Sequence, residues 1–199
     1  MPEGQSVPRF ILASASPRRL AILRQIGLDP DLVDPVDSDE TPRPRETPRQ
    51  LAARLACEKA RAVVARHAGS VVLGADTVVA CGRRILPKAE DAEAARRCLE
   101  MLSGRRHTVY SGICVIGTGG TEHSRLVATR VMFKRLDRRE IDDYLASGEW
   151  RGKAGGYAIQ GRAAALVRWI NGSYTGVVGL PATETATLLA AAGVRPVVT

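Results

Sequence analysis

The hydrophobic and polar positions along the chain change their spacing several times, and each change predicts a new secondary-structure element. The apolar run at residues 10–13 is typical of a short buried strand. Ser16 followed by Pro17 then predicts the start of a helix with an apolar face, which ends near residue 26, before Gly27. The chain thus opens on a strand, a tight turn and a helix.

The rest of the chain continues to alternate between strands and helices. Strands are predicted at residues 31–36, 70–86 (interrupted at 74–77 and turned back as a hairpin), 108–116, 126–133 and 167–170. Helices are predicted at residues 48–67, 91–102, 137–146 and 182–192. Because hairpins occur among the crossovers, we expect a mixed sheet. The predicted fold is a single α/β domain over residues 1–199, with residues 1–8 as a flexible N-terminus.

The composition is that of a globular protein with a substantial core. Of the 199 residues, 45% are hydrophobic and 25% are charged. No run approaches the roughly 20 apolar residues that span a bilayer. The N-terminal "MPEGQSVPRF" lacks the basic start and apolar centre of a secretory signal. We therefore expect a cytoplasmic protein that does not bind membranes.

The net charge of +8 admits nucleic acid as a partner. The basic residues are scattered along the predicted helices, however, and aromatic residues make up only 4% of the chain, too few for a base-stacking surface. An anionic small-molecule substrate explains the charge better. We expect no stable nucleic-acid complex.

The cysteines and histidines show no metal-binding or nucleophile motif. Cysteines occur at four widely separated positions, Cys57, Cys81, Cys98 and Cys114, without a C-x-x-C pair or a histidine at zinc-ligand spacing. We therefore predict neither a metal cluster nor a redox pair and interpret the cysteines as small buried hydrophobic residues. The three histidines are interpreted as structural or exposed.

The turn after the first predicted strand carries residues suited to an anion. Ser14, Ser16, Arg18 and Arg19 lie at the start of the predicted helix. Free backbone N–H groups and the helix dipole favour negative charge at that end and oppose the arginines. A phosphate site explains this arrangement, and a capped surface helix is the alternative.

Two carboxylates are candidates for chemistry. Asp76 interrupts the apolar "VVLGADTVV", where an unpaired charge is costly to bury, so it must meet a cation, a metal or the end of the sheet. Glu40, in the polar "DSDET", would share a Mg²⁺ ion with Asp76, or else it only solvates its loop. Lys59 and Lys88 are interpreted as surface charges unless the fold brings them into a common pocket.

The late glycine-rich stretch "KAGGYAIQG" indicates tight turns or a backbone close to a ligand. Within it, Gln160 carries amide donors and an acceptor that suit the edge of a base, and a local loop hydrogen bond is the alternative. Neither G-x-x-x-x-G-K-[ST] nor G-x-G-x-x-G occurs, which argues against a P-loop ATPase and a dinucleotide-binding Rossmann protein.

Several stretches, in order, carry a family resemblance over nearly the whole chain. They are "LASASPRR", "DSDET", "CEKA", "VVLGADTVV", the lysine of "ILPKAEDA", "LSGRRHTVYSG", "KAGGYAIQG" and "GSYTGVVGLP". In these the chain resembles the Maf family of nucleoside triphosphate pyrophosphatases. The resemblance implies an elongated mixed α/β sheet with two lobes around a cleft, as in ITPase-like folds. It also implies hydrolysis of a nucleoside triphosphate to the monophosphate and pyrophosphate, with a divalent metal (Mg²⁺, or else Mn²⁺ or Co²⁺) and often as a homodimer.

The resemblance also implies roles for individual residues. Triphosphate binding is implied for the residues of the anion turn and for two lysines, namely Ser14, Ser16, Arg18, Arg19, Lys59 and Lys88. Glu40 would help to place the metal, and Asp76 matches the family's proposed general base and would also contact the metal. Whether Asp76 acts first as base or as ligand, and which phosphorus is attacked, stays open.

Within the family, the branch that acts on dTTP and UTP has Arg, Thr and Gln at the positions of Arg18, Thr77 and Gln160. The branch that acts on 7-methyl-GTP tends to have glutamate at the last of these, which suits a cationic base, whereas a neutral amide suits uracil or thymine. We therefore predict the pyrimidine branch. The sequence departs from the family pattern at Pro87 and Gly176, where glycine and asparagine are usual.

Two other functions stay open at this point. Members of the family are associated with inhibition of septum formation, so a nucleotide-binding regulator with little turnover is one alternative. A pyrophosphatase for modified nucleotides such as 7-methyl-GTP is the other.

Overall fold

The structure, a computed structural model, describes residues 8–196, so the flexible N-terminus predicted for residues 1–8 lies outside the described part except for Pro8. The strands are β1 (Phe10–Ala13), β2 (Leu32–Val33), β3 (Val71–Cys81), β4 (Arg84–Leu86), β5 (Arg106–Ile116), β6 (Glu122–Phe133) and β7 (Val167–Asn171). The helices are α1 (Pro17–Gln25), α2 (Pro48–Val64), α3 (Ala92–Leu102), α4 (Arg138–Ala146), α5 (Tyr174–Val178) and α6 (Ala182–Ala191). Within residues 8–196, no helix has the length and apolar character needed to cross a membrane.

All seven strands form one mixed sheet, as predicted. The order is β2-β1-β3-β5-β6-β7, with β4 paired to β3 beyond the end of β1. β1 runs parallel to β2 and β3, whereas β3, β5, β6 and β7 pair antiparallel in turn. The long hairpin strands β3, β5 and β6 therefore form the centre of the domain.

The edge of β3 is left uncovered in its middle. β1 ends with Ala13 opposite Gly74, and the pairing of β3 with β4 starts only at Val79, which lies opposite Leu86. No strand of the described chain pairs with residues 75–78 on that side, and these residues include Asp76. This gap gives side chains from both faces of the sheet access to the same space.

Helix α2 packs unusually close to the sheet because two glycines lie beneath it. A Cβ atom at Gly74 would lie 2.2 Å from the Ala56 carbonyl oxygen, and one at Gly112 would lie 2.2 Å from that of Ala52. Asp76 lies opposite Gly112 in the β3–β5 pair, so its side chain points to this same face. The close packing thus places α2 within reach of Asp76.

Alternation along β3 divides the core between the two faces of the sheet. Leu73 and Ala75 contribute to the larger core, which also contains residues of α1, α3, α4 and α6. Val72 and Val78 instead contact the apolar residues of α2. The sheet is therefore flanked by helices on both faces.

Several local predictions need correction. β3 runs without interruption through residues 74–77, because Gly74 allows close packing rather than a turn. The second strand is confined to Leu32–Val33, and α2 ends at Val64 rather than near residue 67. Helix α5 was not predicted. Capping boxes at Thr47 and Asp137 begin α2 and α4 at the predicted positions.

The interpretation of the cysteines as separated buried residues is also only partly correct. Cys98 and Cys114 are buried, but Cys57 and Cys81 are half-buried. The fold further brings Cys57 of α2 next to Cys114 of β5, although they lie 57 positions apart in the sequence. A pair of this kind joins a helix to a strand and leaves no spacing motif to detect.

Candidate active site

A cleft of about 840 Å³ lies at the uncovered edge of β3. Its walls come from the end of β1, the start of α1, the loop before α2, β3, and the loop between α4 and β7. All of the predicted site residues line it: Ser14, Ser16, Arg18, Arg19, Glu40, Lys59, Asp76, Thr77, Lys88 and Gln160. The structure thus brings together residues that are spread over most of the chain.

The first wall is the turn from β1 into α1. The Ser14 hydroxyl oxygen accepts a hydrogen bond from the Ser16 backbone N–H at 3.2 Å and from Arg19 Nη1 at 2.9 Å. Ser16 lies at the N-cap position as predicted, but its side chain makes no capping hydrogen bond. The first turn of α1 contains no acidic residue. Its backbone N–H groups are therefore available to an anion.

Arg19 is held firmly on this wall. Its Nε donates to the Gly179 carbonyl oxygen at 3.0 Å, and its Nη2 lies 3.4 Å from Thr77 Oγ1. Burial lowers the pKa of the guanidinium group, while the charge of Asp76 opposes that shift. No carboxylate of residues 8–196 forms a salt bridge with Arg19. Arg19 thus presents a fixed cation without a direct anionic partner.

Arg18 and Lys153 are two further cations on the cleft wall. The Arg18 Nε atom is buried and has no hydrogen-bond partner within the described chain. Burial lowers the pKa of Arg18 and of Lys153, and the charge of Arg18 lowers that of Lys153 further. Partly buried like charges side by side repel each other, and an anion between them would relieve this cost.

The opposite wall contains a network of paired charges centred on Lys59. Lys59 Nζ donates to Asp76 Oδ1 at 2.6 Å and to Glu40 Oε1 at 2.9 Å. The Lys59 and Asp76 side chains are only 8% and 6% exposed, so this pair is buried. Asp76 therefore meets a cation, as its position in an apolar strand predicted. Within residues 8–196, its Oδ2 atom makes no hydrogen bond.

Lys88 completes this network from outside. Its Nζ donates to Glu40 Oε2 at 2.5 Å. Partial burial opposes ionisation of Glu40, but hydrogen bonds from Lys59 and Lys88 outweigh it and hold the pKa of the carboxyl below its usual value. The two lysines are therefore not isolated surface charges, because the fold brings them to one carboxylate.

The loop that carries Glu40 is anchored to α2 by a second ion pair. Arg54 contacts Glu46 through Nε at 2.7 Å and Nη2 at 2.8 Å, with both side chains largely buried. Hydrogen bonds from Arg54 lower the pKa of Glu46 to about 2. Arg54 also donates to the Thr41 carbonyl oxygen at 3.2 Å, next to Glu40. This bidentate pair fixes the loop at its C-terminal end.

Backbone hydrogen bonds position Lys88 despite the unusual Pro87. The Pro87 carbonyl oxygen accepts from Gly155 N–H at 3.0 Å, and Ala89 N–H donates to the Lys153 carbonyl oxygen at 3.1 Å. Lys88 itself forms a bridge with Ala154. Because the missing N–H of proline is not needed here, the substitution leaves Lys88 directed into the cleft. Gly176, the other departure, does not line the cleft.

The loop between α4 and β7 forms a third wall of the cleft, and some of its residues were not predicted from the sequence. Arg151, Lys153 and Glu149 line the cleft just before or within the glycine-rich stretch. The basic residues of "WRGK" beside three glycines were the available signal. Tyr157 also lines the cleft, and its hydroxyl oxygen lies 2.7 Å from Nε2 of the buried His107. Burial lowers the pKa of His107 to about 4, so this histidine is structural, as predicted.

Thr77 and Gln160 lie at different depths of the cleft. Thr77 Oγ1 is half-buried and lies 3.4 Å from the Gly179 carbonyl oxygen. Gln160 is exposed at the rim, and its side chain makes no hydrogen bond within the described chain. The local loop hydrogen bond considered as an alternative is therefore absent among these residues. The amide remains available to a ligand.

The comparison with family models decides the relationship. The model described as "Maf: Maf-like protein" matches residues 9–192. The chain belongs to the Maf family. This match extends from the start of β1 to the end of α6, so it includes every element that borders the cleft.

Two curated Maf relatives carry the same name. A protein of Rhodospirillum rubrum named "dTTP/UTP pyrophosphatase" is 59% identical over 194 residues, which is 98% of this chain and 92% of that protein. A "dTTP/UTP pyrophosphatase" of Paramagnetospirillum magneticum is 61% identical over 187 residues, 94% of this chain and 98% of that protein. Both likenesses extend over nearly the full length of each partner.

A solved structure supports the fold of this Maf domain. A HAM1 protein from Coxiella burnetii superimposes with a TM-score of 0.54 at 18% identity, covering 93% of this chain and 100% of that one. At this identity the likeness concerns the fold alone. It confirms the single α/β domain with a mixed sheet flanked by helices.

Proposed function

We propose that this protein hydrolyses dTTP and UTP to the nucleoside monophosphate and pyrophosphate. The observation that carries the proposal is the division of the cleft, with cations that lack carboxylate partners facing the buried Lys59–Asp76 pair. The printed names of the curated relatives support the same activity. The roles of individual residues below are part of the proposal.

The triphosphate is bound by the cationic wall. Arg18, Arg19 and the free N–H groups of the first turn of α1 hold the phosphate oxygens, with Ser14 and Ser16 as hydroxyl donors. Lys88 adds a further cation from the opposite wall. Fixed donors of this kind neutralise the charge of the phosphates and position them for attack.

Asp76 Oδ2 is the oxygen that takes a proton from the attacking water or contacts the cation, because Oδ1 already accepts a hydrogen bond from Lys59. Lys59 keeps the carboxylate in one orientation, and the cationic wall stabilises the departing pyrophosphate. Attack at either of two phosphorus atoms releases the same products.

The donor set around Asp76 fits a hard divalent cation. Carboxylate oxygens of Asp76 and Glu40 converge on one lysine, and Mg²⁺ is commonly held by one or two carboxylates together with substrate phosphates. We propose Asp76 and Glu40 as the ligands of Mg²⁺, with Mn²⁺ or Co²⁺ as substitutes. The cation would supply further charge neutralisation of the phosphates.

The base is read at the rim of the cleft. The free amide of Gln160 donates to and accepts from the edge of uracil or thymine, and Thr77 marks the same branch of the family. A cytoplasmic location and a homodimer remain predictions from the sequence and the resemblance.

The test is pyrophosphate release from dTTP, UTP, CTP, GTP and 7-methyl-GTP, with Mg²⁺ and with a chelator. Metal-dependent release from dTTP and UTP above the others is the expected result. A preference for 7-methyl-GTP would keep the reaction and overturn the substrate assignment. Nucleotide binding without release from any substrate would favour the regulator instead.

A further inference from the structure

A second group of metal-binding side chains lies under α2, outside the cleft. Cys57 of α2, Cys114 of β5 and Glu122 of β6 each offer one ligand atom, and these atoms lie within 4.8 Å of one another. None of the three lines the cleft. The group is therefore separate from the residues assigned to the triphosphate.

The topology explains why three distant residues meet. Glu122 lies opposite Ile116 in the β5–β6 pair, and Cys114 lies two residues before Ile116, so both side chains point to the face beneath α2. The glycines under α2 bring that helix close to the same face, and Cys57 follows Ala56, which packs on Gly74. The convergence thus depends on the framework of the fold and not on a mobile loop.

The three ligand atoms lie within 4.8 Å of one another, and a tetrahedral ion would hold them somewhat closer together than this limit. Zn²⁺ binds thiolate sulfur at about 2.3 Å and carboxylate oxygen at about 2.0–2.2 Å, so neighbouring ligand atoms in such a site are about 3.5–3.8 Å apart. Cys114 is buried, whereas Cys57 is half-buried and Glu122 is partly exposed. A water molecule would take the fourth position from this open side.

Arg61 provides the outer support that such a site requires. It lies one helical turn after Cys57 and contacts Glu122 through Nε at 2.7 Å and Nη2 at 2.8 Å. The charge of this guanidinium, together with a divalent cation, balances two thiolates and one carboxylate. Hydrogen bonds to a ligating carboxylate orient it and contribute to metal affinity.

We propose that Cys57, Cys114 and Glu122 form a binding site for a thiophilic divalent cation such as Zn²⁺, with Arg61 as the residue that positions Glu122. Two thiol ligands favour Zn²⁺ over Mg²⁺, whereas the all-oxygen carboxylates of the cleft favour Mg²⁺. The two proposed sites would therefore differ in their preferred metal, although both include residues that face α2.

The test uses the purified full chain, reduced and freed of metal, titrated with Co²⁺ and with Zn²⁺. Co²⁺ bound to thiolate gives a sulfur-to-metal charge-transfer absorption that an all-oxygen site cannot give. We expect this absorption at one equivalent and its displacement by Zn²⁺. Competition with a chromogenic chelator then gives the Zn²⁺ affinity of each variant.

The variants separate this site from the cleft. Cys57→Ser should lose the absorption and weaken Zn²⁺ binding by roughly 100-fold or more, and Arg61→Gln should weaken it by about 10–100-fold. Cys81→Ser, which changes another half-buried cysteine, and Asp76→Asn should leave both readouts unchanged. Cys57 is only half-buried, so its variant should fold even where a change at Cys114 does not.

Two outcomes would overturn the proposal. One is the absence of a charge-transfer band in the reduced wild-type protein. The other is an absorption or Zn²⁺ affinity that persists in Cys57→Ser and is lost in Asp76→Asn, which would assign the cation to the cleft.

Discussion

The two walls of the cleft differ in whether their charged side chains are paired with opposite charges. On the paired wall, Glu40, Asp76, Lys59 and Lys88 neutralise one another through hydrogen bonds of 2.5–2.9 Å. On the cationic wall, Arg18, Arg19 and Lys153 are partly buried and form no salt bridge with any residue of 8–196. The charges of the paired wall are balanced within the protein, whereas those of the cationic wall are balanced only when an anion binds.

Because the charges of only one wall are balanced within the protein, the other wall keeps its positive charge for an anionic substrate. A buried ion pair is strongly destabilised when one partner is removed, because the other charge is left unpaired. A cation without a partner in the folded protein is already unpaired. Its removal should therefore weaken substrate binding without lowering the free energy of unfolding. Stability and activity should therefore separate between the two walls.

The largest effect is expected for Asp76→Asn on the paired wall. The substitution keeps the shape of the side chain but removes the proton acceptor, so kcat should fall by roughly 10²–10⁴-fold while triphosphate binding stays measurable. Pyrophosphate release and equilibrium binding of dTTP check this result. Asp37→Asn, which changes an exposed carboxylate on the same cleft, is the control, and it should retain activity. Unchanged turnover in Asp76→Asn would remove Asp76 from the mechanism.

Lys59→Met should lower the free energy of unfolding by about 3–5 kcal/mol, because Asp76 would be left buried without its cation. Denaturant unfolding of the protein without ligand measures the change. Lys134→Met, which breaks an ion pair at the surface, should cost at most about 1 kcal/mol. Equal losses in the two variants would contradict the view that the paired wall is a structural element.

Arg18→Gln, on the cationic wall, should weaken substrate binding without lowering stability. Loss of a charge-assisted contact to phosphate should raise KM for dTTP by about 10–100-fold, while the free energy of unfolding stays unchanged or rises. Steady-state kinetics and denaturant unfolding are measured on the same preparation. Arg24→Gln on the same helix, whose partner is the exposed Asp29, should leave KM unchanged. A lower free energy of unfolding with an unchanged KM in Arg18→Gln would contradict the proposed difference between the two walls.

Acid should loosen the paired wall through its anchor at Glu46. The pKa of this carboxyl falls from 4.5 to about 2 in the folded protein because of hydrogen bonds from Arg54. Its stabilisation is therefore present above about pH 4.5 and is lost as the pH falls towards about 2, and it should amount to about 1–3 kcal/mol.

Unfolding measured across this pH range in wild type and Glu46→Gln checks the anchor. The two proteins should differ at neutral pH and converge at the acid end. Glu93→Gln, which changes an exposed carboxylate, should follow wild type throughout. A constant difference between wild type and Glu46→Gln at every pH would contradict the assignment.

The smallest effect is expected at the rim. Gln160→Glu should lower kcat/KM for dTTP and UTP by about 10-fold relative to 7-methyl-GTP, because a carboxylate cannot donate to a pyrimidine edge. Competition between the substrates measures the ranking. Gln25→Glu adds the same charge at an exposed position of α1 outside the cleft. An unchanged ranking in Gln160→Glu would exclude a role in reading the base.

The sequence predicted the fold where a pattern is local. Strand β1 and the starts of α3 after Asp91 and of α4 after Asp137 are encoded within a few residues. The continuity of β3 through Gly74 was not predictable in the same way. A glycine there is required by the helix packed upon it, and that packing is a tertiary contact.

The site shows the same limit. The polar residue within an apolar strand indicated that Asp76 needs a partner, but only the fold identifies Lys59 and Glu40 as the groups around it. The meeting of Cys57 with Cys114 left no spacing signal at all. The family resemblance predicted which residues line the cleft, because the residues of a family's site are close in the fold even where they are far apart in sequence.

The most direct test of the account is a product balance for dTTP with wild type and Asp76→Asn side by side. The account predicts one dTMP and one pyrophosphate for each dTTP consumed by wild type, and bound but unconverted dTTP in the variant. Release of dTDP and phosphate, or binding without turnover by wild type, would contradict it.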